Sequence, residues 1–260
     1  MNPHDQPVCA RSALSPIDSL RRRLKEIKAG RNRYRVILLD DLRAGYLPLA
    51  KVASTTLRME FSKRQARLFY PNETAPTPQL LQKKIEKRIR KSMAPDQIKQ
   101  LSKTHFLFAF VRNPITRLYS CYLDKVVKAS QKGKPCSLRL YGISADMSFD
   151  DFVRCVAGIP DRQADQHFRS QHPHVMANGE WLVQRLGKLE HFREEWDLLR
   201  AEISMEDFPL AVRRSTGAGN ALGKVPLCRA VADIAVNRYG TDIDVLGYQE
   251  EITDWLASLP

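Results

Sequence analysis

A chain of 260 residues is long enough to bury a substantial core, and its composition reads as a mixed globular domain rather than a disordered or fibrous protein. No apolar run approaches the length needed to cross a bilayer, and the N-terminus lacks a basic-then-apolar leader, so no transmembrane segment is expected. The formal net charge of +13 is regional: residues 1–35 hold nine Lys/Arg against three Asp/Glu, and residues 63–103 eleven against three, contributions of +6 and +8 that leave −1 elsewhere.

Such basicity suits a polyanionic partner, whether nucleic acid, acidic glycan or anionic membrane, and equally suits solvated helix faces. Five cysteines, Cys9, Cys121, Cys136, Cys155 and Cys228, form no CxxC or Cys/His cluster. They read as reduced thiols, which points to a cytoplasmic compartment and away from structural zinc; no metal is expected.

In chain order, residues 1–14 read as a tail. A helix follows from the cap Ser15 to Gly30, with Ile17, Leu20, Leu24 and Ile27 opposite Arg21, Arg22, Arg23, Lys25 and Lys28. Residues 1–30 are thus set apart from the domain expected over 31–260. Strands are expected from Arg35 to Leu39 and from Ala44 to Ala50, joined by a turn at Asp40-Asp41. The second strand runs into Lys51-Val52-Ala53-Ser54-Thr55-Thr56 and then a basic helix through Arg67. Short side chains in that turn let backbone N–H groups approach a phosphate, Ser54, Thr55 and Thr56 add hydroxyls, and Lys51 adds a mobile charge. The GxxxxGK[ST] spacing of ATP and GTP sites is absent, and a Ser/Thr-rich helix start is also an ordinary cap. A Pro-containing loop carries Glu73. Helices are expected from Gln79 to Lys91 and from Pro95 to Leu101.

Phe106 to Val111 is an unbroken apolar run, read as a strand buried on both faces, with Arg112 at its carboxyl end. Asn113 can cap and Pro114 can start the next helix, whose buried face is Ile115, Leu118, Tyr119, Tyr122 and Val126; Ser120 lies eight residues past Arg112. Gln131 to Ala145 is expected as a loop and Phe149 to Val156 as a helix capped by Ser148. The irregular stretch Asp165 to His174 holds three of the six histidines without metal-ligand spacing. A strand is expected from Trp181 to Leu186, a helix from Leu189 to Leu199, and a strand from Phe208 to Val212. A cationic loop then runs from Arg213 to Lys224, followed by a helix from Pro226 to Arg238. The alternation implies an α/β fold, one domain with a central, mainly parallel sheet flanked by helices.

Two strand-loop-helix units, one offering Lys and Ser/Thr and the other Arg and Ser, suit a ligand with two separate phosphates. In this the chain resembles the membrane-associated type of carbohydrate sulfotransferases, which includes the Golgi chondroitin/dermatan sulfotransferases and heparan sulfate 2-O-sulfotransferase. Lys51 to Thr56 resembles that family's 5′-phosphosulfate loop, and Phe110 to Tyr122 its 3′-phosphate element. Asp165 to Gln171 resembles its His-Trp-x-Pro-Gln region, with Phe168 and Ser170 in place of Trp and Pro. Gly187 to Phe192 resembles its Gly-x-x-Glu-x-Phe segment, and Tyr239 to Tyr248 its Tyr-x-x-Asp ending. Ala50 stands where the family commonly has proline.

The resemblance implies a P-loop-like nucleotide-binding fold and transfer of a sulfuryl group from 3′-phosphoadenosine 5′-phosphosulfate (PAPS) to a carbohydrate or other hydroxylated, acidic or neutral, acceptor, with PAP as product. It assigns Lys51, Val52, Ala53, Ser54, Thr55, Thr56, Arg112, Ser120 and Arg214 to the nucleotide, and Lys51 to catalysis. His167 is the first choice of base, with His105 and Glu73 as alternatives. A soluble member, bacterial rather than Golgi in type, is expected. A kinase-like phosphotransferase and a basic nucleic-acid-binding protein stay open as other readings, although no specific nucleic-acid motif is found.

Overall fold

The computed structural model describes residues 33–70, 78–205 and 222–260. The expected N-terminal helix, Glu73, the strand at 208–212 and Arg214 lie outside the described residues.

In chain order the elements are β1 (Tyr34–Leu39), β2 (Ala44–Leu47), α1 (Ser54–Phe69), α2 (Pro78–Ile89), β3 (Arg90–Met93), α3 (Pro95–Leu101), β4 (Phe106–Val111), α4 (Pro114–Tyr122) and α5 (Phe149–Ala157). There follow β5 (Met176–Ala177), β6 (Glu180–Trp181), β7 (Arg185–Lys188), α6 (Phe192–Glu202), α7 (Arg229–Arg238), α8 (Gly240–Val245) and α9 (Gln249–Ser258). The fold is mixed α/β with a five-stranded sheet, and the described residues form two compact units: a sheet unit of 33–112 and 173–205, and a helical unit of 113–172 and 222–260.

In the sheet unit the strand order is β3-β1-β2-β4-β7. β2, β4 and β7 run parallel, with Leu47 opposite Ala109 and Val111 opposite Lys188, while β1 and β3 add an antiparallel flank. The unbroken apolar run of β4 fits its central place, because a parallel strand covered on both faces has no polar side to present. Tyr46 stacks on Phe108 at 5.3 Å, and Phe61 of α1 meets both rings edge-on. Phe192 of α6 packs on Phe110 at 5.1 Å. Gly187 explains itself here: a Cβ at that position would lie 2.6 Å from Phe110 Cε1, so β7 can approach β4 only without a side chain.

In the sheet unit β2 ends at Leu47, short of the expected Ala50, and two further elements depart from the expectations. Arg90 to Met93, expected as the end of a helix and the start of a linker, is an edge strand, because pairing with β1 supplies what local propensity does not. The strand expected at Trp181 to Leu186 is split. Trp181 belongs to a small hairpin turned by Asn178 and Gly179, with φ of 53° and 80°, and the sheet takes Arg185–Lys188 instead.

In the helical unit, Asn113 caps α4, its side-chain oxygen accepting from Ile115 N at 3.0 Å and Thr116 N at 3.4 Å. A π-helical turn at Leu123–Val127 and a last turn at Lys128–Gln131 extend that helix. Tyr119 and Tyr122 pack on Phe149 of α5 at 4.9 and 5.0 Å, and Ser148 caps α5 as expected. Burying a ring as fully as Phe152 is worth about 1.5–3 kcal/mol, which fixes α5 against its neighbours. The stretch expected as a loop at 131–145 buries Cys136, Leu138, Tyr141 and Ile143, so it is a packed segment. Cys121, Cys136 and Cys228 are free thiols, whereas Cys155 is disulfide-bonded. This corrects the reading of five reduced cysteines and removes the argument that it lent to a cytoplasmic location.

Candidate active site

Because β2 and β4 are parallel neighbours, the chain leaves both at the same end of the sheet, and three residues beyond the Leu47–Ala109 pair stand Ala50 and Arg112. The loop from 48 to 53 is anchored by Leu49 and Val52, both buried. Lys51 and Ala53 are left-handed, with φ of 69° and 57°. That conformation costs an L-residue about 1–2 kcal/mol, and two such residues within three positions make a strained, concave turn whose backbone N–H groups suit an anion.

Ala53 is the N-cap of α1 and has no oxygen to cap with. The first helical bond is Leu57 N to Ala53 O at 3.1 Å, so the N–H groups of Ser54, Thr55 and Thr56 have no acceptor within the helix. The hydroxyl residues therefore lie inside the first turn and do not cap it. A sixteen-residue helix thus presents an open N-terminus directly after a lysine-bearing turn.

At the end of β4, Arg112 is buried, and the register sets Lys188 of β7 opposite Val111 beside it. The start of α4 differs from that of α1, since Asn113 already accepts from its first N–H groups. An anion bound in this region is therefore met by side chains rather than by that helix end. Ser120 is buried on α4 in the helical unit, and Arg112 belongs to the sheet unit. His105 stands before β4, at the opposite end of the sheet from Lys51 and Arg112, with Nδ1 2.9 Å from Thr104 Oγ1. A six-residue strand spans about 20 Å, so His105 is not brought together with them. Asp40 and Asp41 are at that far end too, where Asp41 accepts hydrogen bonds from Arg64 and Gln65.

In the helical unit, side chains from two separated stretches, Arg117 on α4 and Tyr239 with Asp242 at the start of α8, hold the backbone of residues 166–172. Arg117 is almost fully buried and donates to Gln166 O at 3.0 Å and Arg169 O at 2.8 Å. Tyr239 Oη donates to Phe168 O at 2.6 Å. The Asp242 carboxylate accepts from Gln171 N, His172 N and His172 Nδ1 at 2.7–2.9 Å. Burial pushes the Tyr239 phenol well above its ordinary pKa, so it serves as a neutral donor. Within this frame His167 Nδ1 donates to Asp165 Oδ1, which leaves Nε2 as the basic nitrogen, and His172 is oriented in the same way by Asp242. The sequence had not singled out His172 or the parts played by Arg117, Tyr239 and Asp242. The i, i+3 spacing of Tyr239 and Asp242, which puts them on one face, was the available signal.

Residues 36–249 match one family model, described as the sulfotransferase family. The chain belongs to the sulfotransferase family. No curated protein and no solved structure matches it. The match takes in every site residue described above, from the Lys51 turn to Asp242, and makes this sulfotransferase a transferase of sulfuryl groups to a hydroxylated acceptor. Among the described residues of the sulfotransferase, no helix is long and apolar enough to cross a membrane.

Proposed function

We propose that this sulfotransferase takes its sulfuryl group from PAPS and delivers it to a hydroxyl of a carbohydrate or glycan-like acceptor, releasing PAP. The observation that carries this reading is the uncapped start of α1 behind the left-handed Lys51 and Ala53. In-line sulfuryl transfer depends on positioning and on charge stabilisation more than on covalent help from the protein. In this reading the turn at 52–56 holds the 5′-phosphate through N–H groups and hydroxyls, and Lys51 stabilises charge on the departing phosphate oxygen. Arg112 takes the 3′-phosphate, which distinguishes PAPS from ATP, and Ser120 and Arg214 are assigned to the nucleotide by resemblance alone. As the acceptor oxygen forms its bond to sulfur and the bond from sulfur to the phosphate oxygen breaks, the hydroxyl proton passes to His167 Nε2. His172 is the second candidate base, favoured by its bond to the buried Asp242.

PAP should raise the melting temperature without metal, and labelled sulfate should move from PAPS to a glycan acceptor. A shift with Mg·ATP and none with PAP would refute the reading in favour of a kinase. The pH–rate profile of His167→Ala locates the base: loss of the acidic limb, where a protonated imidazole can no longer accept the hydroxyl proton, supports His167, and an unchanged profile transfers the role to His172.

A further inference from the structure

Three arginines of the sheet unit stand on the face of the sheet that α1 covers. Ile37 pairs with Tyr46 on one side and Arg90 on the other, and Arg35, two residues earlier in β1, shares its face. Arg58 is on α1, three residues before Phe61, whose ring lies 5.7 Å from that of Tyr46. Burial, and after it the charges of Arg90 and Arg58, hold the Arg35 guanidinium below its ordinary pKa. Among the described residues none of the three forms an ion pair. Two buried polar atoms beside them also have no partner, Arg58 Nε and the phenolic oxygen of Tyr46, a residue with 0% exposure. Repelling guanidinium groups over unpaired buried atoms are what an anion site looks like before its ligand supplies the counter-charge.

The place of the cluster indicates what it serves. α1 begins at the carboxyl end of β2, and Arg58 is one turn in. β1 runs antiparallel to β2, so Arg35, preceding Ile37, lies toward that same end. The arginines therefore flank the Lys51 turn, on the side of the sheet away from β4 and Arg112.

We propose that Arg35, Arg58 and Arg90 form a second oxyanion site beside the Lys51 turn, one that holds a carboxylate or sulfate carried by the acceptor and so selects an acidic acceptor. This rests on the sulfuryl-transfer reading above. Guanidinium groups suit it because their planar forks bind carboxylate and sulfate oxygens in pairs and keep their charge throughout the working pH range.

The test is thermal unfolding of the full chain with PAP saturating, so that the Lys51 turn is filled. Inorganic sulfate or glucuronate is then added against sodium chloride of equal ionic strength, with glucose as the neutral control. Sulfate or glucuronate should raise the melting temperature of the wild type and glucose should not; the arm with the larger shift names the acid group. Arg35→Gln/Arg90→Gln should weaken that response at least about tenfold and leave the PAP shift intact. It should melt no lower than wild type without ligand, because repulsion is relieved. An undiminished response in the double variant would overturn the proposal. If PAP gives no shift yet the double variant still loses the sulfate response, the nucleotide reading fails and the oxyanion site stands. Arg90→Gln alone, at an exposed edge position, gives the same reading should the double variant not fold.

Discussion

Asp242→Asn tests the frame around the histidine segment. The carboxylate has 0% exposure and accepts four contacts from three N–H groups, Gln171 N at 2.9 and 2.7 Å, His172 N at 2.8 Å and His172 Nδ1 at 2.7 Å. Asparagine keeps the shape and one oxygen, but it gives up the charge on three hydrogen bonds and turns an N–H group toward a donor. A charge-assisted bond is worth about 1 kcal/mol more than a neutral one, so the expected loss is about 3 kcal/mol. Asp242→Ala should cost more, because two backbone N–H groups stay buried without an acceptor. Urea unfolding followed by circular dichroism reads this as a lower midpoint at unchanged slope. Tyr239→Phe, which removes one bond to the same segment, should cost about 1 kcal/mol, and the double variant should be non-additive. A loss below about 1 kcal/mol for Asp242→Asn, or strict additivity, would refute the idea that these residues act as one clamp.

Lys51→Ala and Lys51→Gly should both slow sulfuryl transfer by about a hundredfold or more, and a wild-type rate in either would remove Lys51 from catalysis. Only the glycine variant should gain stability, by about 1 kcal/mol, since a left-handed position strains a Cβ. Gly187→Ala places a methyl against the Phe110 ring and should destabilise by about 1–3 kcal/mol in thermal unfolding. At Asp161, burial would raise the carboxyl pKa, but hydrogen bonds from Ser170 and Arg238 and the charge of Arg238 outweigh it and hold it low. A lowered carboxyl stabilises above its unfolded pKa and loses that contribution as pH falls through its folded value. Wild type and Asp161→Asn should therefore differ at neutral pH and converge below about pH 4; a constant gap would show that the ion pair with Arg238 is not the cause.

What was legible in the sequence was local. The apolar run of β4, the Asn113-Pro114 start of α4 and the Ser148 cap each depend on neighbours in sequence, and each is found where expected; the lysine turn comes earlier than expected, since β2 ends at Leu47 and α1 begins at Ser54. β3 was not legible, because Arg-Lys-Ser-Met becomes a strand only through its pairing with β1. The split at Trp181 was legible and overlooked, as Asn178-Gly179 is the dipeptide that favours a tight hairpin. That the Ser/Thr cluster at 54–56 does not cap α1 was not legible either, because the choice of Ala53 as N-cap depends on its left-handed backbone. The orientation of His172 was beyond reach, since Asp242 lies seventy residues from it and meets it only in the folded unit, whereas the partner of His167, Asp165, stands two residues before it.

The clamp on residues 166–172 also imposes an order in time. All five sheet strands and the Lys51 turn lie before residue 189, but Tyr239 and Asp242 come close to the end of the chain. During synthesis the sheet unit can therefore be complete while the proposed base still lacks two of its three restraints. A chain clipped before Tyr239 keeps the Lys51 turn and loses two of the three side chains that hold the histidine segment.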